Sequence, residues 1–294
     1  MVMKHRKLNL IENEYKKVIS ILLCPPLKLK SEMPSKILHL KKINYGAMKG
    51  EYKKIKEAYK KEGIKVKEID SKIIDKKDMY NIVYVRDTFF MTPQGAIISN
   101  MEKKIRKKEH IYIEKILNEI NIPIIKKIKG RATFEGSDAI WINKKLVLVG
   151  VGNRTNNQGF NEVKKCLLKQ KIKCIKINIE KNRIPQHLLG CLQMVDKDLA
   201  LVRIKLVKGD LIEVLNKNNI KIIKVPENEE VKNRQAMNIV TISPRNIFMA
   251  FNCPNTKKIY LDNKINVIQE LKISQLINGA GGLACATGIL VREN

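Results

Sequence analysis

The hydrophobic pattern of this chain falls into a recurring unit. Two short apolar runs meet at a tight polar turn, a stretch of helical periodicity follows, and another short apolar run closes the unit. The first unit lacks one member: a strand is expected over Val18–Cys24, a helix over Tyr45–Glu62 and a strand over Ile64–Ile69, announced by Gly63. The second reads as strands Ile82–Thr92 and Gly95–Ser99 about a Pro-Gln-Gly turn, helix Lys104–Ile120 and strand Pro123–Ile128. In the third, Ala139–Ile142 and Leu146–Val151 form a hairpin before helix Asn157–Lys171 and strand Ile172–Ile179. The fourth comprises strands Leu192–Val195 and Leu199–Ile204, helix Gly209–Asn218 and strand Ile220–Val225. The fifth has strands Ile239–Ile242 and Ile247–Phe251, a weaker helix near Thr256–Asn263 and strand Ile265–Leu271. A last strand, Thr287–Arg292, is left over and supplies the partner missing from the first unit.

Five such units point to radial repetition around an axis. An open doubly wound sheet fits less well, because parallel neighbours need a crossover where this sequence has a hairpin turn. The repeat lies in the order of elements rather than in residue identity. With 294 residues the chain can bury a full core, and residues 1–294 are taken as a single domain.

Composition narrows the class. The formal charge of +29 raises the question of nucleic acid. The basic residues are spread along the chain, however, with no concentrated arm and no interleaved aromatic platform. Of the 58 Lys and Arg only ten are Arg, so lysine reads as the filler of surface positions. Diffuse polyanion binding is expected and a dedicated nucleic-acid site is not. The six cysteines (24, 166, 174, 191, 253 and 285) have neither metal-ligand spacing nor a disulfide framework, which suits reduced thiols in the cytoplasm. Met1 to Lys17 is polar, and the run Val18–Cys24 is too short to span a bilayer, so no membrane role is expected.

Four polar features sit where apolar runs begin or end. Arg86-Asp87-Thr88 interrupts the run Ile82–Phe90, and Phe134-Glu135-Gly136-Ser137-Asp138 precedes the third hairpin. His187 opens Leu188–Val195, and Cys285 ends the glycine loop Asn278-Gly-Ala-Gly-Gly-Leu-Ala-Cys285. Each has a plain structural alternative. Asp87 can pair with Arg86, Glu135 can cap a loop, His187 can be a satisfied core histidine, and Cys285 a buried small residue after a turn. Taken together they describe a chemistry. A thiol needs a base or cation to become a nucleophile, and His187 can serve. Two carboxylates beside a thiol raise its pKa, which makes sense only for a cationic substrate. A guanidinium matches a carboxylate pair in geometry as well as charge. With one histidine among these four features and no other metal-type cluster nearby, neither a metal nor another cofactor is indicated.

The set Val85-Arg-Asp-Thr-Phe89, Phe134-Glu-Gly-Ser-Asp138, Gly152-Asn-Arg-Thr-Asn156, His187-Leu-Leu-Gly-Cys191 and Gly281-Gly-Leu-Ala-Cys285 resembles the guanidino-modifying superfamily. Its members include arginine deiminases, dimethylarginine dimethylaminohydrolases and arginine:glycine amidinotransferases. The resemblance runs from about Ile19 to Arg292 and implies a five-bladed α/β propeller of ββαβ modules, the pentein fold. It implies Cys285 as nucleophile, His187 as general acid and base, and Asp87 and Glu135 as a guanidinium clamp, with Asp138 among the substrate-binding residues. Arg154 matches a position that holds the substrate α-carboxylate in the dimethylarginine hydrolases. Arg106 matches a second carboxylate-binding arginine, with Lys107 the alternative match.

Two residues depart from the family pattern. Leu189 stands where deiminases and amidinotransferases carry a guanidinium-binding Asp, a feature shared with the dimethylarginine hydrolases. Either it forms an apolar wall that favours N-substituted guanidines or it points into the blade core. Ser137 replaces the second glycine of Glu-Gly-Gly-Asp, a change expected to be tolerated. The implied function is hydrolysis of arginine or an N-substituted arginine through a cysteine-bound thiouronium, giving a ureido product. An amidinotransferase is the alternative within the family, and a silent scaffold or polyanion binder the alternative outside it. The partner is a small guanidino molecule, and self-association into a homo-oligomer is left open.

Overall fold

The computed structural model describes residues 10–28, 39–75, 79–180 and 185–293. The chain opens with β1 (Val18–Leu23), α1 (Tyr45–Lys61) and β2 (Lys65–Glu68). A complete module follows: β3 (Phe89–Thr92), β4 (Gly95–Ile98), α2 (Glu109–Glu119) and β5 (Ile124–Lys127). The third comprises β6 (Ala139–Asn143), β7 (Leu146–Val151), α3 (Asn157–Lys169) and β8 (Lys173–Asn178). The fourth comprises β9 (Leu192–Asp196), β10 (Leu199–Val202), α4 (Gly209–Lys217) and β11 (Lys221–Lys224). A short α5 (Glu229–Asn233) leads into β12 (Val240–Ser243), β13 (Asn246–Ala250), α6 (Pro254–Asp262) and β14 (Asn266–Leu271). The chain ends with α7 (Ser274–Asn278) and β15 (Gly288–Arg292).

These strands form five three-stranded sheets. In each, the middle strand runs antiparallel to the first and parallel to the third, across a helical crossover. The first sheet has the order β15-β1-β2, so the last strand of the chain supplies its antiparallel member. This is the five-bladed α/β propeller, with the ends of the chain sharing one blade.

Burial follows the strand order. β3, β4 and β10 are buried along their whole length, as expected of apolar runs covered on both faces. Trp141 of β6 is fully enclosed, stacks on Phe90 at 5.7 Å and donates to the Met91 carbonyl across the blade boundary. The third strands face solvent on one side and present Lys65, Lys127, Lys173 and Lys221 there.

A residue-level repeat underlies the modules. In every blade the crossover helix ends on a left-handed residue: Gly63, Asn121, Lys171, Asn219 and Lys264, with φ between 56° and 72°. An isoleucine follows each time (Ile64, Ile122, Ile172, Ile220, Ile265). Its N–H reaches back to the carbonyl of Tyr59, Leu117, Leu167, Leu215 or Tyr260. This is a Schellman closure with its apolar contact, and all five isoleucines are buried. It ties the turn from helix to third strand in the same way five times.

Three expectations need correction. Ile82–Thr92 is not one strand: Val85–Thr88 is a 3-10 turn, and only Phe89–Thr92 pairs. The Thr88 hydroxyl donates to Val85 O at 2.6 Å and the Asp87 amide to Tyr84 O, so local bonds replace a ladder. The helix expected over Lys104–Ile120 begins as a separate 3-10 turn, Lys104–Arg106, because Arg106 is drawn inward to two carboxylates. The short helices α5 and α7 were not expected. The first amides of α7 are capped by Glu51 of α1, a partner more than two hundred residues away in sequence.

Two glycines separate backbone strain from steric conflict. A Cβ at Gly63 meets nothing within 4 Å, so Gly63→Ala should cost only the left-handed penalty, about 1–2 kcal/mol. A Cβ at Gly95 would lie 2.2 Å from the Pro123 carbonyl, at φ +140°. Urea denaturation should therefore show a modest loss for Gly63→Ala and a much larger one, or no folded protein, for Gly95→Ala. Equal losses would contradict this account.

Candidate active site

Each blade ends its approach to the axis with a polar residue just before its first strand. Asp87 lies in the 3-10 turn before β3, and Glu135 directly precedes the 3-10 turn Gly136–Asp138 before β6. His187 precedes the turn Leu188–Gly190 before β9. Asn238 comes two residues before β12, and Cys285 three before β15. The repeat therefore delivers one side chain per blade. Four of these were expected from the sequence. Asn238 was missed, because an asparagine before an apolar run carries no chemical signal of its own. Its position in the fifth module, equivalent to the other four, was the available clue.

Asp87 is the hub. Its Oδ2 accepts Arg106 Nη1 at 2.8 Å and its Oδ1 accepts the Ser137 hydroxyl at 2.5 Å. Ser137 is thus more than a tolerated replacement for glycine, since it adds a donor to this carboxylate. Arg106 is 3% exposed; it also forms a forked pair with Glu109 and bonds the Asn81 carbonyl. The attraction of Glu109 and Asp87 outweighs burial and raises its pKa further. Its guanidinium is committed to carboxylates of its own chain, so the expectation that it binds a substrate carboxylate is not supported by this geometry. Lys107, the alternative match, donates to Asn100 Oδ1.

His187 Nε2 lies 2.7 Å from Glu135 Oε2. Burial pulls the imidazole pKa down, but Asp87, the Glu135 hydrogen bond and Asp138 outweigh it and raise it. In the same pair Glu135 is lowered: burial opposes this, while His187, Arg154 and Arg106 prevail. The imidazole is therefore poised as a proton donor. Asp138 was expected to bind substrate, yet it is 1% exposed and both oxygens are taken. Oδ2 accepts Thr155 Oγ1 at 2.7 Å and Oδ1 accepts Leu188 N at 3.0 Å. It thus fastens the turn after His187 to the loop carrying Arg154, and burial raises its own pKa to about 6 against those bonds. Arg154 bonds Gln186 Oε1 through Nε and Nη2. Its Nη1 lies 3.7 Å from Glu135 Oε1 and has no hydrogen-bond partner despite being buried.

Cys285 is half-buried, with its carbonyl accepting Arg86 N. Asn238 holds it from two sides: Nδ2 donates to Sγ at 3.1 Å, and Oδ1 accepts Ala284 N at 2.7 Å and Cys285 N at 3.3 Å. The glycines before it allow close approach rather than a positive φ: a Cβ at Gly281 would lie 2.3 Å from the Tyr84 ring and one at Gly282 2.5 Å from Asn238. The left-handed residue of the loop is Ala280, φ 68°. Burial and Asp87 push the thiol up to about 11, against the Asn238 and Gly282 hydrogen bonds and Arg106. The resting cysteine is a neutral thiol that an added positive charge would ionise.

Asp87, Glu135 and His187 offer ligand atoms within 4.8 Å of one another, a set that could in principle hold a cation. Arg106 and Ser137 already occupy Asp87, and Arg106 lies 3.9 Å from Glu135, so the site's negative charge is largely matched. Leu189 is buried and lines a cavity with Ile140, Met194 and Ile289, which favours the core alternative for its role.

The Asn238 geometry is separable from its bracing of the loop. Asn238→Asp keeps an acceptor for the Ala284 and Cys285 amides but replaces the N–H facing sulfur with a charge. The pH midpoint of Cys285 alkylation, followed by mass spectrometry, should lie near 11 in the unmodified protein. In Asn238→Asp it should move up by about 1–2 pH units, the worth of a hydrogen bond to a charged group. An unchanged midpoint would remove Asn238 from the thiol's environment.

Comparison with known proteins bears on these residues as a set. The arginine deiminase family model matches residues 26–212. The arginine deiminase of Borreliella afzelii is 25% identical over 254 residues, covering 74% of this chain and 62% of its own length. That of Borrelia recurrentis is 24% identical with the same coverage. The chain thus spans less than two thirds of the curated deiminases it matches. Among solved structures, dimethylarginine dimethylaminohydrolase from Pseudomonas aeruginosa, a cysteine-to-serine variant with citrulline, superposes with a TM-score of 0.73 at 19% identity, covering 92% of this chain and 98% of that one. The N-terminal domain of ArgZ, an arginine dihydrolase from cyanobacteria, gives 0.79 at 18% identity, covering 92% and 97%. The amidinotransferase SxtG from Microseira wollei gives 0.79 at 14% identity, covering 97% of each chain. The structural likenesses bear on fold alone. With the arginine deiminase model matching more than half of its length, this chain belongs to the arginine deiminase family.

Proposed function

We propose that residues 1–294 act as one catalytic domain that hydrolyses a C–N bond of a guanidino group, with arginine or an N-substituted arginine as substrate. The observation that carries this reading is that the Asp87 carboxylate acts on both the Cys285 thiol and the His187 imidazole, which Glu135 holds at 2.7 Å. Family membership supports it. The chemistry explains why the resting thiol is held at about 11: an incoming guanidinium supplies the positive charge that ionises it. Each carboxylate oxygen has more than one acceptor direction, so Asp87 can grip a substrate while Arg106 and Ser137 stay bonded.

In this mechanism the Cys285 thiol gives its proton to solvent water as the guanidinium binds, His187 being already protonated, and the thiolate attacks the guanidinium carbon. The tetrahedral adduct collapses as His187 gives its proton to the departing nitrogen, leaving an S-alkylthiouronium and free ammonia or amine. Water then attacks the same carbon, His187 accepts its proton, and the C–S bond breaks to release a ureido product such as citrulline. Arg154 is read as the carboxylate-binding residue, because its Nη1 is a buried donor without a partner. Arg106 and Asp138 are read as positioning residues for Asp87 and His187. An amidinotransferase would share the first half-reaction and pass the amidino group to an amine. The six free thiols suit a reducing, cytoplasmic compartment, and among the described residues no helix is long and apolar enough to cross a membrane.

Product analysis against arginine, methylated arginines, agmatine and guanidinoacetate tests the reading directly. A ureido product should form with no acceptor amine present; a strict amine requirement would favour the transferase. Cys285→Ser should abolish turnover with the fold intact, and near-normal turnover would sink the covalent route. Arg154→Ala should weaken arginine by about 1.5–3 kcal/mol, the range for hydrogen bonds to charged groups, and leave agmatine nearly unaffected. Equal losses for both would show that Arg154 only supports its loop.

A further inference from the structure

The cavity that Leu189 lines, of about 20 Å³, lies behind the Cys285 loop and has no part in the reaction above. Two arginines line it, Arg86 and Arg292, with Glu14 the sole acidic member of its wall. Glu14 is spent on Arg86, whose Nη2 it meets at 2.8 Å. Arg292 is different. It is 3% exposed, and among the described residues no carboxylate lies within 4.0 Å of its guanidinium. Its Nη1 donates to the carbonyls of Lys16 and Thr241, while Nε is buried with no partner at all. A buried cation with no carboxylate in contact is costly, and so is an orphaned donor. Burial, opposed by Glu14 and reinforced by Arg86, lowers its pKa to about 10. The other polar wall residues have partners of their own: the Thr241 and Thr287 hydroxyls donate to Met194 O and Leu283 O, and Gln193 spends one amide N–H on Leu189 O.

We propose that this cavity is a binding site for a monatomic anion, chloride under ordinary conditions, held by the guanidiniums of Arg292 and Arg86. The charge of the wall selects an anion, since two cations face one carboxylate. The volume selects a small one: about 20 Å³ is room on the scale of one or two water molecules, too little for phosphate or a nucleotide. The placement gives the site a consequence. Ala284 and Thr287, on either side of Cys285, belong to its wall, and the Arg86 amide donates to the Cys285 carbonyl at 3.1 Å. An anion here braces the nucleophile loop from behind and offsets the positive field of two arginines. This inference does not depend on which guanidino compound is the substrate.

Two measurements test it. Crystals of the whole protein grown or soaked in sodium bromide should show an anomalous peak within hydrogen-bond distance of Arg292 Nε. In solution, replacing sodium gluconate by sodium chloride at constant ionic strength should raise Tm by about 2 °C or more, since a ligand bound only to the folded state stabilises it. The difference should vanish in Arg292→Gln. A cavity holding water alone in bromide, or a chloride effect of undiminished size in folded Arg292→Gln, would overturn the proposal. Should Arg292→Gln fail to fold, the bromide experiment on the unmodified protein decides the question unaided.

Discussion

The site depends on one interaction, the pairing of the Asp87 carboxylate with the Arg106 guanidinium in a place nearly closed to water. Without Arg106, Asp87 and Glu135 would confront each other and the Cys285 thiol with unmatched negative charge, which a buried site does not tolerate. With it, the cluster is close to balanced and the two carboxylates can converge. Arg106 is in turn held by Glu109 at the start of α2, so the crossover helix of the second blade is anchored to the axis. The broken helix at 104–109 is the local consequence of that anchoring.

That balance also sets the protonation states. His187 sits among Asp87, Glu135 and Asp138 and is raised, while Cys285 sits beside Asp87 and is raised as well. The resting pair is therefore a protonated imidazole and a neutral thiol, not a preformed ion pair between the two. A site of this kind waits for a cation. The same arrangement that discourages ionisation of the free thiol favours a cation beside it, and a cation placed there would in turn favour the thiolate.

The propeller explains how side chains scattered over two hundred residues meet. Each blade turns toward the axis just before its first strand, and each turn there is closed by local bonds that leave one side chain facing its counterparts. The Schellman closures at the far end of each crossover helix repeat with equal regularity. Lysines on the third strands, such as Lys65, Lys127, Lys173 and Lys221, are exposed, so their charge stays away from the axis. At the axis itself arginine is used, where forked, directional bonds to carboxylates are needed.

How much of this was legible beforehand follows from the range of the forces involved. The five modules were readable because helix periodicity, apolar runs and turn residues are properties of neighbouring positions. Asp87, Glu135, His187 and Cys285 were readable as a set because each interrupts or borders an apolar run with a residue type that has chemistry. Asn238 was not, since an amide becomes informative only when a thiol from another blade lies 3.1 Å away. The partners of Arg106 and Asp138 were unreadable for the same reason: which carboxylate or amide a buried group meets is decided by blade packing. Ser137 read as a tolerated replacement for glycine until the neighbouring turn brought Asp87 to its hydroxyl, and the two alternatives for Leu189 could be weighed only once the cavity it lines was in place. Local pattern determined what the elements are and which residues carry chemistry. Closure of the ring decided which of them touch, because contact across blades is a long-range consequence of packing that no stretch of sequence contains.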